Sequence, residues 1–236
     1  IVFLAGCAAL PRGRVNESRG VLEGRIVKEN WMNIFMFGGK IGYSHYYVKK
    51  IRDGYEIVNE EVIKTRRAGV EIGSRQVSRA YVDENLSPKY FIYREAIGKQ
   101  EKLVKGRVRG NELRVRASLA DTLIEETFDL DEEIFLESSV GEVVTEKGLA
   151  VGKRYRFKVF DERFLEILEE TFDIEGKERI ECEGQEREAY RVKRIHSGLE
   201  DVTITEWLNL EGKMLKYEIE ELGLSMVRVK KEEAQR

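Results

Sequence analysis

The side chains that most often carry nucleophilic or metal chemistry are scarce in this chain, which has two cysteines, Cys7 and Cys182, and two histidines, His45 and His196. A cysteine nucleophile needs a lowered thiol pKa and a histidine base within reach. Cys182 stands in RIECEGQ between two glutamates, which oppose thiolate formation, and nothing around it resembles a helix start. It reads as a small, half-buried strand residue. His45, in GYSHYY, reads as a strand residue packed among tyrosines rather than as a base. Two histidines without an HExxH motif make no zinc site, and the two cysteines form neither a CxxC pair nor a disulfide framework. No catalytic residue, metal or cofactor is therefore expected, although spacing alone does not test for a carboxylate pair among 44 acidic residues.

Charge excludes one class of partner. Lys and Arg total 41 against 44 Asp and Glu, a net charge of −3 with both signs interleaved, so no long-range field directs the chain to nucleic acid. Arg107, Arg109, Arg114 and Arg116 alternate in LVKGRVRGNELRVRA and would project together toward an anion. Without a Gly-rich phosphate loop they read as a solvated outer face balanced by Glu101 and Glu112.

Cys7 asks a different question. The opening IVFLAGCAALPRGR is apolar for ten residues and then basic, too short to span a bilayer but of the length of a secretory h-region. Leu4, Ala5, Gly6 and Cys7 resemble the lipobox of bacterial lipoproteins. The resemblance implies that residues 1–6 are the end of a truncated signal peptide and that Cys7 carries lipid. Residues 7–30 would then be a flexible tether, and the domain would sit outside the cytoplasm, in the periplasm, with a membrane as partner.

The elements that would position any site start at Trp31. WMNIFMFGGKIGYSHYYVKKIRDGYEIV has strand composition, with turns at Gly38–Gly39 and Asp53–Gly54. In the hairpin turning at Gly110–Asn111, Val108 should face Leu113, with Val104, Val115 and Ala117 on the same side. SSVGEVVTEKG predicts one short helix near 139–147, capped by Ser138 or Ser139. DERFLEILEETFDIEG suits either a helix or a turn and strand, and is read as the latter. AYVDENLSPKYFIYRE and EWLNLEGKMLKYEIEE look like one strand–turn–strand unit used twice. The expectation is a mainly β domain over 31–231 with a tail at 232–236. It would be a strongly curved antiparallel sheet or partly open barrel, built of two similar halves.

WMNIFMFGGKIGYSH, YVDENLSPKYFIY, LAVGKRYRFKVFD and EWLNLEGKMLKYEIEELGLSMVR also resemble motifs of the N-terminal β domain of exported bacterial transglutaminase-like proteins. That resemblance implies a β fold outside the cytoplasm; the catalytic part of those proteins has no counterpart here. Two functions follow as expectations. One is an envelope module holding lipid or another apolar ligand on a concave face lined by Phe35, Phe37, Tyr43, Tyr46, Tyr47, Phe91 and Tyr93. The other is an envelope protein–protein interaction module. A pocket open to water favours the first, a filled interior the second.

Overall fold

The computed structural model describes residues 23–67, 70–120, 122–130, 133–197 and 203–236, so Cys7 and its lipobox lie outside the described residues. Among the described residues there are fifteen strands: β1 Arg25–Met36, β2 Gly39–Ile51, β3 Gly54–Arg67, β4 Val70–Val82, β5 Pro88–Ile97, β6 Gln100–Arg109, β7 Glu112–Leu119 and β8 Thr122–Asp129, then β9 Ile134–Leu136 and the helix α1 Glu137–Lys147. The second half holds β10 Arg154–Asp161, β11 Glu166–Cys182, β12 Gln185–His196, β13 Thr203–Leu208, β14 Met214–Ile219, β15 Leu224–Arg228 and the short helix α2 Lys231–Ala234. They form a single sheet in the order β8-β7-β6-β5-β4-β3-β2-β1-β15-β14-β13-β12-β11-β10-β9, antiparallel except for the β9–β10 pair. The two halves are meanders joined where β1 meets β15.

Curvature brings the ends of the sheet together without closing it. Phe91 of β5 lies 5.6 Å, ring to ring, from Phe160 of β10, and Phe128 of β8 lies 5.1 Å from the same ring. One buried core joins β5, β6 and β7 to β9, α1, β10 and β11 through Phe91, Val104, Leu113, Leu136, Val140, Phe160 and Phe172. Gly106 permits the closest approach: a Cβ there would fall 1.9 Å from the Phe91 ring. Helix α1 closes this core with Val140, Val143 and Val144, the three valines whose spacing predicts it.

Several expectations are refined. The first strand begins at Arg25 rather than at Trp31, because Arg25–Asn30 pair with β2 in place of a tether. The helix starts at Glu137, whose charge suits the positive end of the dipole, and neither serine caps it: Ser138 donates to Glu162, and Ser139 to the Leu136 carbonyl. The tail carries α2. The DERFLEILEETFDIEG stretch is indeed a turn into β11, and Val108 is paired with Leu113.

The repeated unit is structural. Tyr81 faces Tyr90 and Val82 faces Pro88 across one bulge; Trp207 faces Lys216 and Leu208 faces Met214 across another. The Asp83 carboxylate accepts from the Asn85 and Ser87 backbone N–H groups at 3.0 Å each; the Asn209 side-chain oxygen accepts from Glu211 and Lys213 at 3.0 and 2.8 Å. Each turn then passes through a left-handed residue, Leu86 (φ 63°) in one and Gly212 (φ 75°) in the other.

Candidate functional site

The concave face encloses a cavity of about 800 Å³ that is open on one side. Its polar wall is one row across the sheet. Asn30 of β1 is paired with Tyr46 of β2, Tyr46 with Asn59 of β3, Asn59 with Ser78 of β4, and Ser78 with Tyr93 of β5, and all five line the cavity. Residues directly opposite one another in antiparallel strands share a face, so the row is a belt spanning roughly 19 Å at the usual strand spacing. One step along the strands, Ser44, Glu61 and Gln76 form a second row beside Met32.

The facing wall is mainly apolar. Ile204 is paired with Ile219 and Ile219 with Leu224, while Leu208, Met214 and Met226 complete the surface around one polar pair, Glu206 and Tyr217. Ile204 and Ile219 stand at the positions of the second hairpin that Ser78 and Tyr93 hold in the first. The same backbone unit thus offers polar atoms on one side and hydrocarbon on the other. Of the four methionines in the chain, Met32, Met214 and Met226 line the cavity, supplying an adaptable surface.

Charged groups gather where the belt meets α1. Lys28 donates to Glu142 at 2.7 Å and to the Gly212 carbonyl at 2.8 Å, and the Tyr46 hydroxyl donates to Glu142 at 2.6 Å. Burial, followed by the Glu142 charge, pushes the Tyr46 phenol well up. Arg194 of β12 is surrounded by three carboxylates, Glu170 at 2.7 Å, Glu137 at 3.1 Å and Glu206 at 3.4 Å. Burial alone would lower its pKa, but these charges outweigh burial and hold the guanidinium ionised. One cation does not balance three anions, and burial raises the Glu206 pKa. Glu162 accepts from Ser138 and from Ser78. Desolvation and then the Glu137 charge push its carboxyl up to about 8. Burial also raises Glu61, which accepts from Asn59 at 3.2 Å.

Of the seven aromatics expected to line the site, the structure brings two together there, Tyr46 and Tyr93. Tyr43 and Tyr47 differ from Tyr46 by odd steps along β2 and face outward, beside the Trp31–His45 stack. Phe91 fills the core at 1% exposure, and Phe37 is 82% exposed at the β1–β2 turn, with Phe35 just before it. One wall of the concave face is polar. Asn30, Asn59, Ser78, Glu61 and Glu162 were missed, because a lone polar residue in an alternating strand normally signals the wet face.

Among the described residues no Cys–His pair is assembled. Cys182 is buried at the end of β11, beside Trp207 and Leu215, and burial followed by the Glu183 charge raises its thiol pKa. His196 sits opposite Glu170 near the other end of that strand, roughly 40 Å along it, and His45 is held on the outer face by Glu29 at 2.8 Å. The arginine hairpin is a solvated outer face, with Arg114 on Glu112 at 2.7 Å and Arg116 on Glu125 at 3.2 Å. Among the described residues no three or more His, Cys, Asp or Glu side chains are arranged to hold a metal ion, and no helix is long and apolar enough to cross a membrane.

No protein-family model matches the chain, and no curated protein matches it. Among solved structures, a β-barrel-like protein of the domain of unknown function DUF1849 from Brucella abortus is similar over 89% of this chain and 98% of its own, with a TM-score of 0.63 and 15% identity. A DUF1089 family protein from Pseudomonas aeruginosa aligns over 87% of this chain and 97% of its own, with a TM-score of 0.43 and 12% identity. The first likeness places this chain among β-barrel-like domains with a large, curved, unclosed antiparallel sheet.

Proposed function

We propose that the chain is a non-catalytic binding module of the cell envelope, anchored by lipid on Cys7, that holds an amphiphilic small molecule against the concave face of its sheet. The observation that carries this reading is the cavity with one mainly hydrocarbon wall and one hydrogen-bonding wall. Its volume lies in the range of small-molecule sites, and its three methionines suit a ligand of variable shape. The two walls select for a molecule that is apolar at one end only.

The test uses the full chain and the neutral apolar dye Nile red. Saturable binding at one site is expected. Ser78→Trp, which sets a bulky ring across the middle of the belt, should weaken binding at an unchanged melting temperature. Absence of saturable binding by the cooperatively folded protein would favour the interaction-module reading. Anchoring is tested separately: a precursor expressed in a bacterium should fractionate with membranes, and Cys7→Ser should release it or leave it unprocessed.

A further inference from the structure

We infer that the polar end of the cavity receives an organic ammonium group, so that the ligand is an amphiphilic amine held head-in at the belt; this rests on the reading of the cavity as a ligand site. Two independent observations point there. The first is charge. Glu61, Glu137, Glu142, Asp161, Glu162 and Glu206 line the cavity, against Lys28, Arg163, Arg194 and His196. Lys28 is taken by Glu142, and Arg194 is shared among Glu137, Glu206 and Glu170. Glu61 and Glu162 are left with Arg163 as the remaining fixed cation of this wall among the described residues. Burial raises both carboxyls, the response of acids that lack a counter-charge.

The second observation is a belt atom without a protein partner. The Tyr93 hydroxyl belongs to a residue only 5% exposed and makes no hydrogen bond within the protein. Tyr93 stands opposite Ser78, which donates to Glu162, and the Glu61 charge also acts on its phenol, so the hydroxyl lies at the Glu61–Glu162 end of the belt. Its oxygen can accept. An ammonium supplies donors and positive charge and has no acceptor of its own, so one group can bond the Tyr93 oxygen and the neighbouring carboxylates. A carboxylate head would meet like charge, and among the described residues a metal ion finds no set of three ligands.

The experiment titrates the full chain at pH 9, where Glu162 is ionised and an alkylammonium still charged, calorimetrically with octylammonium, octanol and octanoate below their micellar concentrations, three probes with one tail and three heads. Octylammonium is expected to bind at least about tenfold more tightly than octanol, the increment of one charge-assisted hydrogen bond, and octanoate more weakly than octanol. Glu61→Gln with Glu162→Gln should reduce octylammonium to the octanol affinity and leave octanol unchanged. Tyr93→Phe should weaken octylammonium binding without lowering the melting temperature, since its hydroxyl has no partner to lose. Octanol or octanoate binding as tightly as octylammonium would overturn the ammonium assignment and leave the amphiphile cavity standing. So would an octylammonium affinity unmoved by the double substitution in a protein that melts like wild type. Failure of all three probes to bind would overturn both.

Discussion

Glu162 gives the sharpest handle on this cavity because its carboxyl is buried and far from its ordinary acidity. It is 2% exposed, and desolvation, reinforced by Glu137 and more weakly by Asp161, moves its pKa from 4.5 to about 8. The folded protein therefore keeps a proton that the unfolded chain has already lost. The group's contribution to stability is greatest below pH 4.5, declines as pH rises from there to about 8, and is flat above. At about 1.4 kcal/mol per unit, the loss between pH 5 and pH 8 is about 3 to 4 kcal/mol. Glu162→Gln has the shape of the protonated acid at every pH and removes that decline. Urea denaturation of both proteins at pH 5, 6, 7 and 8 should give stabilities that are close at pH 5 and separate progressively, with the variant the more stable at pH 8. Glu61 and Glu206, also raised by burial, remain in both proteins and cancel in the comparison. Parallel curves across this range would show that Glu162 titrates normally and would remove the argument that the cavity wall lacks counter-charge.

Other perturbations test the frame around the cavity. Arg194→Met leaves Glu137, Glu170 and Glu206 without their shared cation, and should cost about 3 to 5 kcal/mol by denaturation at pH 7. Gly106→Ala sets a methyl into the Phe91 ring and should cost about 1 to 3 kcal/mol, measured as a shift in the urea midpoint at constant slope. Phe91→Ala should cost roughly 3 to 5 kcal/mol as a core truncation, and the Gly106→Ala cost should vanish on that background, because the two side chains compete for one space.

The strands, the hairpins at Gly110 and Asp53, the valine face of α1 and the repeated unit were legible because each is signalled by neighbours in sequence. The site was not, and the reason is phase. Tyr46 and Tyr47 are chemically alike and adjacent, yet they face opposite ways. Which faces in depends on which side of the sheet becomes concave, and that depends on contacts as distant as Phe91 with Phe160. The belt had a further disguise: Asn30, Asn59 and Ser78 are spread along the chain, and only the register of five strands lines them up. Arg25–Asn30 read as tether because charge dominates that stretch, while the sheet accepts it as the outer part of β1.

The join between β1 and β15 bears on how the molecule assembles. The first and last of the described strands are neighbours in the middle of the sheet, held by five residue pairs from Met32–Arg228 to Met36–Leu224. A chain made from its N-terminus can complete the β1–β8 meander early, since each of its strand pairs is local. The inner edge of that meander, β1, then stays unpaired until β15 emerges. During this interval the half-built protein exposes a strand bearing Trp31, Met32 and Ile34 with its backbone amides and carbonyls open. The join is thus the slow, long-range step of folding and the moment of greatest exposure to aggregation, and loss of residues beyond Gly223 would make that exposure permanent.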